Sequence, residues 1–201
     1  MRKTPYALSI AMLALAALTY AADPPKKAPS AHEKAEMEAM MKAATPGEAH
    51  QKLTPMVGTF DVKVKMWNAP SAPPAESTGK SVNTWVLGNR WVAENFEGTF
   101  MGMPFSGIGY TGYDNIQKSY VGTWMDNMST QIMVSKGSVD AGGKTMTFNS
   151  TMADPMSGKT MPVKEKVTVM DQNHHMMEMW SPGPNGKMFK MMEITYTRSG
   201  S

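Results

Sequence analysis

From Gly58 onward the apolar residues recur at every second position. Phe60, Val62, Val64 and Met66 alternate with Thr59, Asp61, Lys63 and Lys65. Successive side chains of a strand point to opposite faces, so this alternation marks a half-buried β-strand. Similar segments follow as far as Arg198, at residues 76–87, 90–101, 105–113, 117–126, 130–139, 144–153, 161–170, 174–181 and 187–197. Turn chemistry separates them, as at Gly88-Asn89, Asp114-Asn115, Asp140-Ala141-Gly142-Gly143 and Pro182-Gly183-Pro184-Asn185-Gly186. Ten strands with short links predict an antiparallel meander. An open sheet of that size leaves long unpaired edges, and closure removes them. The expected fold class is therefore all-β: an antiparallel up-and-down barrel of calycin or lipocalin type, about ten strands, with one or more N-terminal helices. A two-sheet sandwich is the alternative.

Ahead of the strands the period is that of a helix. Ser30-Ala31-His32-Glu33 reads as a capping box that opens a helix to about Ala43, with Met37, Met40 and Met41 on one face. Thr45-Pro46-Gly47-Glu48 reads as a second box, opening a helix to about Met56 that turns Leu53, Met56 and Val57 inward. Still earlier, Arg2 and Lys3 precede an apolar run from Ala7 to Leu18 and the small residues Ala21 and Ala22. These are the parts of a secretory signal peptide, with cleavage expected after Ala21. The apolar run falls short of the roughly 20 residues that cross a bilayer, so no stable membrane span is expected after cleavage. The chain then divides into a signal peptide at 1–21, a linker and tethered helix at 22–45, and a barrel domain with a short docking helix at 46–201. The expected location is the periplasm or the exterior of a bacterium.

Composition narrows the function classes. The formal charge of +3 drops to +1 once Arg2 and Lys3 are removed, which gives no support for nucleic-acid binding. There is no Cys, hence no disulfide framework and no thiolate metal site.

Several strings carry a family likeness. They are Val57-Gly58-Thr59-Phe60, Val86-Leu87-Gly88-Asn89-Arg90-Trp91, Gly109-Tyr110-Thr111-Gly112-Tyr113-Asp114-Asn115, Tyr120-Val121-Gly122-Thr123-Trp124 and Phe189 through Arg198. Together they resemble the bacterial family called domain of unknown function 1579, over about residues 46–198. The resemblance implies a lipocalin-like barrel and brings no catalytic residues. Members of that family often carry Trp where this chain has Phe60.

Candidate chemistry is sparse. Gly107-Ile108-Gly109-Tyr110-Thr111-Gly112 matches a dinucleotide fingerprint, but that site needs a helix after the glycines, and here another strand follows. The glycines instead suit a curved barrel wall. Methionine is abundant, at 23 residues. Thioethers suit Cu(I) and absorb oxidants, so Met37/Met40/Met41, Met101/Met103 and the run His174-His175-Met176-Met177-Glu178-Met179 are candidate clusters. Core filling by a flexible side chain is the plainer explanation. His32, His50, His174 and His175 read as solvated. No nucleophile with a placed base is visible; Glu94, Asp126 and His174 are the candidate bases of an enzyme reading. No cofactor is assigned. The leading expectation is a small apolar ligand in a barrel cavity, with polar anchors among Arg90, Glu94, Tyr110, Trp124 and Glu193, which lie within apolar strands. A methionine-rich copper or oxidant buffer is the alternative.

Overall fold

The computed structural model describes residues 28–154, 157–183 and 185–200. The expected signal peptide at 1–21 and the start of the linker lie outside the described residues. Helix α1 (Ala31–Ala44) begins as its capping box dictates: the Ser30 N–H donates to Glu33 Oε2 at 2.6 Å, and the Glu33 N–H donates to Ser30 Oγ at 3.2 Å. No residue of α1 is buried, and Met37, Met40 and Met41 each remain more than half exposed.

The second helix is shorter than the sequence suggests. It comprises α2 (Glu48–Gln51) and a separate 3-10 turn at Thr54–Met56. Pro55 explains the break, because it has no N–H and its ring collides with the carbonyl four residues back. The start also differs from the expected Thr45 box. Gly47 is the cap residue and its N–H donates to His50 Nδ1 at 3.1 Å, while Thr45 Oγ1 donates back to Met41 O at 2.7 Å.

Ten strands follow: β1 (Gly58–Met66), β2 (Ala75–Val86), β3 (Trp91–Phe100), β4 (Met103–Asp114), β5 (Ser119–Asp126), β6 (Met133–Val139), β7 (Thr145–Ala153), β8 (Thr160–Val169), β9 (His174–Pro182) and β10 (Met188–Arg198). Each is antiparallel to its sequence neighbour, and β1 bonds to both β2 and β10, so the sheet closes into an up-and-down barrel. Phe60 lies opposite Ser81 on one side and Arg198 on the other. A single closed sheet rules out the sandwich. Among the described residues no helix is long and apolar enough to cross a membrane.

The helical segment plugs one end of the barrel. Leu53 is fully buried against Val92, Tyr120, Met146, Phe148 and Val167, with Ala49, Met56 and Val57 beside it. Burial of a leucine side chain contributes about 2 kcal/mol. Polar ties fix the plug: Tyr120 Oη donates to Ala49 O at 2.8 Å, and Arg198 donates to Val57 O at 2.9 Å and Pro55 O at 3.1 Å. A second apolar cluster lines the wall further in, built on Phe60, Val62, Val64, Phe96, Ile194 and Tyr196.

Two histidines expected in solvent are buried. His50 packs edge-on against Tyr113 in the plug. His175 stacks on Tyr196 at 4.2 Å and meets the edge of Phe60 at 4.7 Å. Strand alternation separates it from His174, which stays partly exposed and lies 2.9 Å from Asp171. The sequence placed the pair beside a turn, and only His174 belongs to it.

Candidate functional site

The two ends of the barrel differ. The plugged end carries the buried cluster around Leu53. At the opposite end the inward residues Phe105, Trp124, Met133, Met152, Met161 and Met192 are only partly buried. The wall also loosens there. The β8–β9 ladder stops at Lys164↔Trp180, just before Pro162 and Pro182, which have no N–H to donate. This end therefore carries an inward set of thioethers and aromatic rings that is less buried than the cluster at the plugged end.

The glycines of the fingerprint-like string shape the interior. A Cβ on Gly107 would lie 2.2 Å from Trp124 Cζ2, and one on Gly109 would lie 3.0 Å from Trp124 Cε3. The indole therefore lies flat over bare backbone on the inner face. Gly112 faces outward and makes the same room for Trp91, whose Cε3 would be 2.6 Å away. The string thus seats two rings.

Glu94 shares an inner row with this indole. It is opposite Gly109 on β4, and Gly109 is opposite Trp124 on β5, so the carboxyl and the ring flank one glycine on one inner row. Glu94 sits deep in the barrel and is only partly exposed. Ser81 Oγ lies 2.8 Å and Tyr196 Oη 3.2 Å from Glu94 Oε1. Burial pushes the Glu94 carboxyl above the usual range and outweighs its hydrogen-bond contacts with Ser81 and Tyr196. Burial raises the Tyr196 phenol as well, and the charges of Glu94 and Glu165 add to that. Glu165, bonded by Ser150 Oγ at 3.1 Å, is likewise raised by burial.

Of the five anchors expected from sequence, Glu94 and Trp124 share one row of the inner wall, on either side of Gly109. The other three stand apart from them. Arg90 is exposed on the β2–β3 hairpin, where Leu87, Gly88 and Asn89 take positive φ values of 50°, 63° and 62°. Its Nη1 donates to Leu87 O at 2.9 Å, which steadies that turn. Tyr110 points outward and is 39% exposed. Glu193 is also outside, bonded by Lys190 Nζ, which reaches Glu178 at 3.3 Å and lies over Trp67 at 5.2 Å. Of the candidate bases, Asp126 is near the end opposite the plug and accepts a bond from Trp124 Nε1 at 3.1 Å, whereas His174 is at the plugged end. The inner polar residues Ser81, Asn83 and Tyr196 were not among the expected anchors. The signal for the first two is faint, since both faces of β2 are polar. Among the described residues no three His, Asp or Glu side chains gather as a metal site.

The profile of the family described as Protein of unknown function (DUF1579) matches residues 45–198. The chain belongs to that family. The match begins just before the plug and ends with β10, so the family unit is barrel and plug together. Among solved structures, the chain resembles Rv2717c from M. tuberculosis, at 14% identity and a TM-score of 0.54, over 77% of this chain and 99% of that one. At that identity the likeness shows the barrel fold alone. A redesigned β-barrel, b11L5F_LGL, matches at 16% identity over 75% of this chain and 95% of that one; its TM-score of 0.38 carries no argument. A search of curated proteins found no match.

Proposed function

We propose that this DUF1579 protein is an exported binding protein that takes a small, largely apolar ligand through the end of the barrel opposite the plug. The export part rests on Arg2, Lys3 and the apolar run from Ala7 to Leu18. The observation that carries the binding part is Glu94: a partly exposed carboxyl deep in the barrel, on the same inner row as a flat indole. Burying such a group costs free energy unless hydrogen bonds compensate. Ligand pockets combine a mostly apolar lining with a few polar groups that fix orientation. Glu94 and Tyr196 serve as that polar end, and Trp124, Phe105 and the methionines of the unplugged end serve as the apolar walls.

Native mass spectrometry of protein purified without denaturation tests this, together with titration by the fluorescent probe anilinonaphthalene sulfonate. A retained small molecule, or saturable probe binding that quenches Trp124 and weakens in Trp124→Ala, is expected. The absence of both a retained species and saturable probe binding would overturn the proposal.

A further inference from the structure

Three thioethers form one row across adjacent strands. Met66 on β1 is directly opposite Met192 on β10, and Met192 is directly opposite Met179 on β9. Residues directly opposite on antiparallel strands project to the same face, with Cβ atoms about 4.5–5.5 Å apart. That face is the inner one, because Met66 lies two and four residues from the buried Val64 and Val62, and Met192 two and four from the buried Ile194 and Tyr196. The inner wall of a barrel is concave, so neighbouring side chains converge.

A backbone irregularity sets this alignment. The β9–β10 register breaks between Lys190 and Met192. Lys190 pairs with Trp180 on the outer face. Without the extra residue, Met191 would fall opposite Met179 and Met192 would turn outward. Bulges of this kind commonly re-aim a side chain beside a functional site.

We propose that Met66, Met179 and Met192 form a thioether site for a soft monovalent cation, Cu(I) or its surrogate Ag(I). Neutral sulfur ligands match a soft ion and discriminate against hard divalent ones. Three rotatable bonds let each methionine bring its sulfur to a shared centre. Met66 and Met192 are only partly buried, which supplies an entry path, while Met179 is 7% exposed and fixes the inner side. The sequence clusters do not assemble in this way. Met176 is on the opposite face of β9 from Met177 and Met179, Met101 and Met103 are exposed at the β3–β4 turn, and Met37, Met40 and Met41 are exposed on α1. The argument for this site does not rest on the apolar-ligand reading, although Met192 is common to both.

The test is anaerobic competition for Cu(I) against a chromophoric chelator, with ascorbate present to hold the reduced state. The parent is compared with Met66→Leu/Met179→Leu/Met192→Leu and with Met37→Leu/Met40→Leu/Met41→Leu. Leu conserves most of the volume, and a thermal melt checks that the barrel persists. If the barrel triple does not fold, Met192→Leu alone replaces it. The barrel variant is expected to lose about 100-fold in affinity, the upper end of what even indirect metal supports contribute. The helix variant is expected to match the parent. Thioethers carry no proton to displace, so parent affinity is also expected to stay flat where a histidine site would titrate, from about pH 5 to about pH 8. Equal competition by parent and barrel variant, no binding by the parent, or a loss confined to the helix variant would each overturn the proposal.

Discussion

Ser81 Oγ lies 2.8 Å from Glu94 Oε1, and this contact reports which of the two holds the proton. The same hydroxyl is 2.6 Å from Asn83 Oδ1. Asn83 cannot be turned over, because its Nδ2 donates to Met56 O at 2.9 Å, an atom that only accepts. The single Ser81 proton therefore goes to Asn83, and the Glu94 contact is satisfied when the carboxyl is protonated and donates to Ser81. The raised carboxyl and the bond geometry agree.

Glu94→Gln tests this arrangement. An amide keeps the shape, and its NH2 at the Oε1 position has two hydrogens to donate, one to Ser81 Oγ and one to Tyr196 Oη. With Glu94 raised in the folded state, its contribution is complete below the ordinary value of 4.5 and is lost as pH rises through the folded value. Tm is therefore expected to fall less between acid and alkaline pH in the Gln variant than in the parent. Parallel Tm profiles would show that Glu94 is not the group responsible.

His175 acts in the opposite sense. Burial, reinforced by the Arg198 charge, lowers its pKa from 6.5 to about 4, and its buried Nδ1 has no hydrogen-bond partner. The stability it contributes is present above 6.5 and is lost as pH falls toward about 4. A shift of that size corresponds to about 3 kcal/mol. His175→Phe keeps the stack on Tyr196 and is expected to remove most of that acid sensitivity. Denaturant melts near neutral and mildly acid pH read it directly, and an unchanged difference would count against the assignment.

Gly107→Ala places a methyl 2.2 Å from Trp124. Overpacking of this kind costs about 1–3 kcal/mol. Gly142→Ala, whose nearest atom is Asp140 Oδ1 at 3.7 Å, serves as the control and is expected to be nearly neutral. Trp124 emission should shift in the first variant only.

The two N-terminal segments should separate in truncation. Removing residues up to 43 deletes most of a helix with no buried residue, so Tm is expected to change little. Removing residues up to 56 takes Leu53 from the core and Ala49 O, Pro55 O and Met56 O from their donors. Loss of buried side chains on this scale costs about 2–5 kcal/mol. A large fall in Tm from the shorter deletion would mean that α1 is integral to the fold.

The barrel was legible because each strand is a local signal. Alternation located β1, turn residues bounded the rest, and closure followed from the problem of unpaired edges. The plug was only half legible: Leu53 reads inward, whereas Pro55 inside the expected helix divides it. The site was less visible. Glu94 and Trp124 share an inner row because both are opposite Gly109, a relation between three strands that no single segment encodes. Arg90, Tyr110 and Glu193 sit in equally apolar strings, yet lie on a hairpin or the outer wall.

The sequence by itself determined the strand count, the turns, the capped first helix and membership of the DUF1579 family, all of which rest on interactions between residues close in the chain. Tertiary structure alone decided which face of each strand looks inward where both faces are polar. β2 is the clearest instance: Ser77, Ser81 and Asn83 alternate with Glu76, Lys80 and Val82, and only pairing with Phe60 and Val64 on β1 turns the former set inside. The bulge that aims Met192 belongs to the same class. A one-residue change of register exchanges the two faces of a strand, and register is fixed by the neighbouring strand and by closure of the whole barrel.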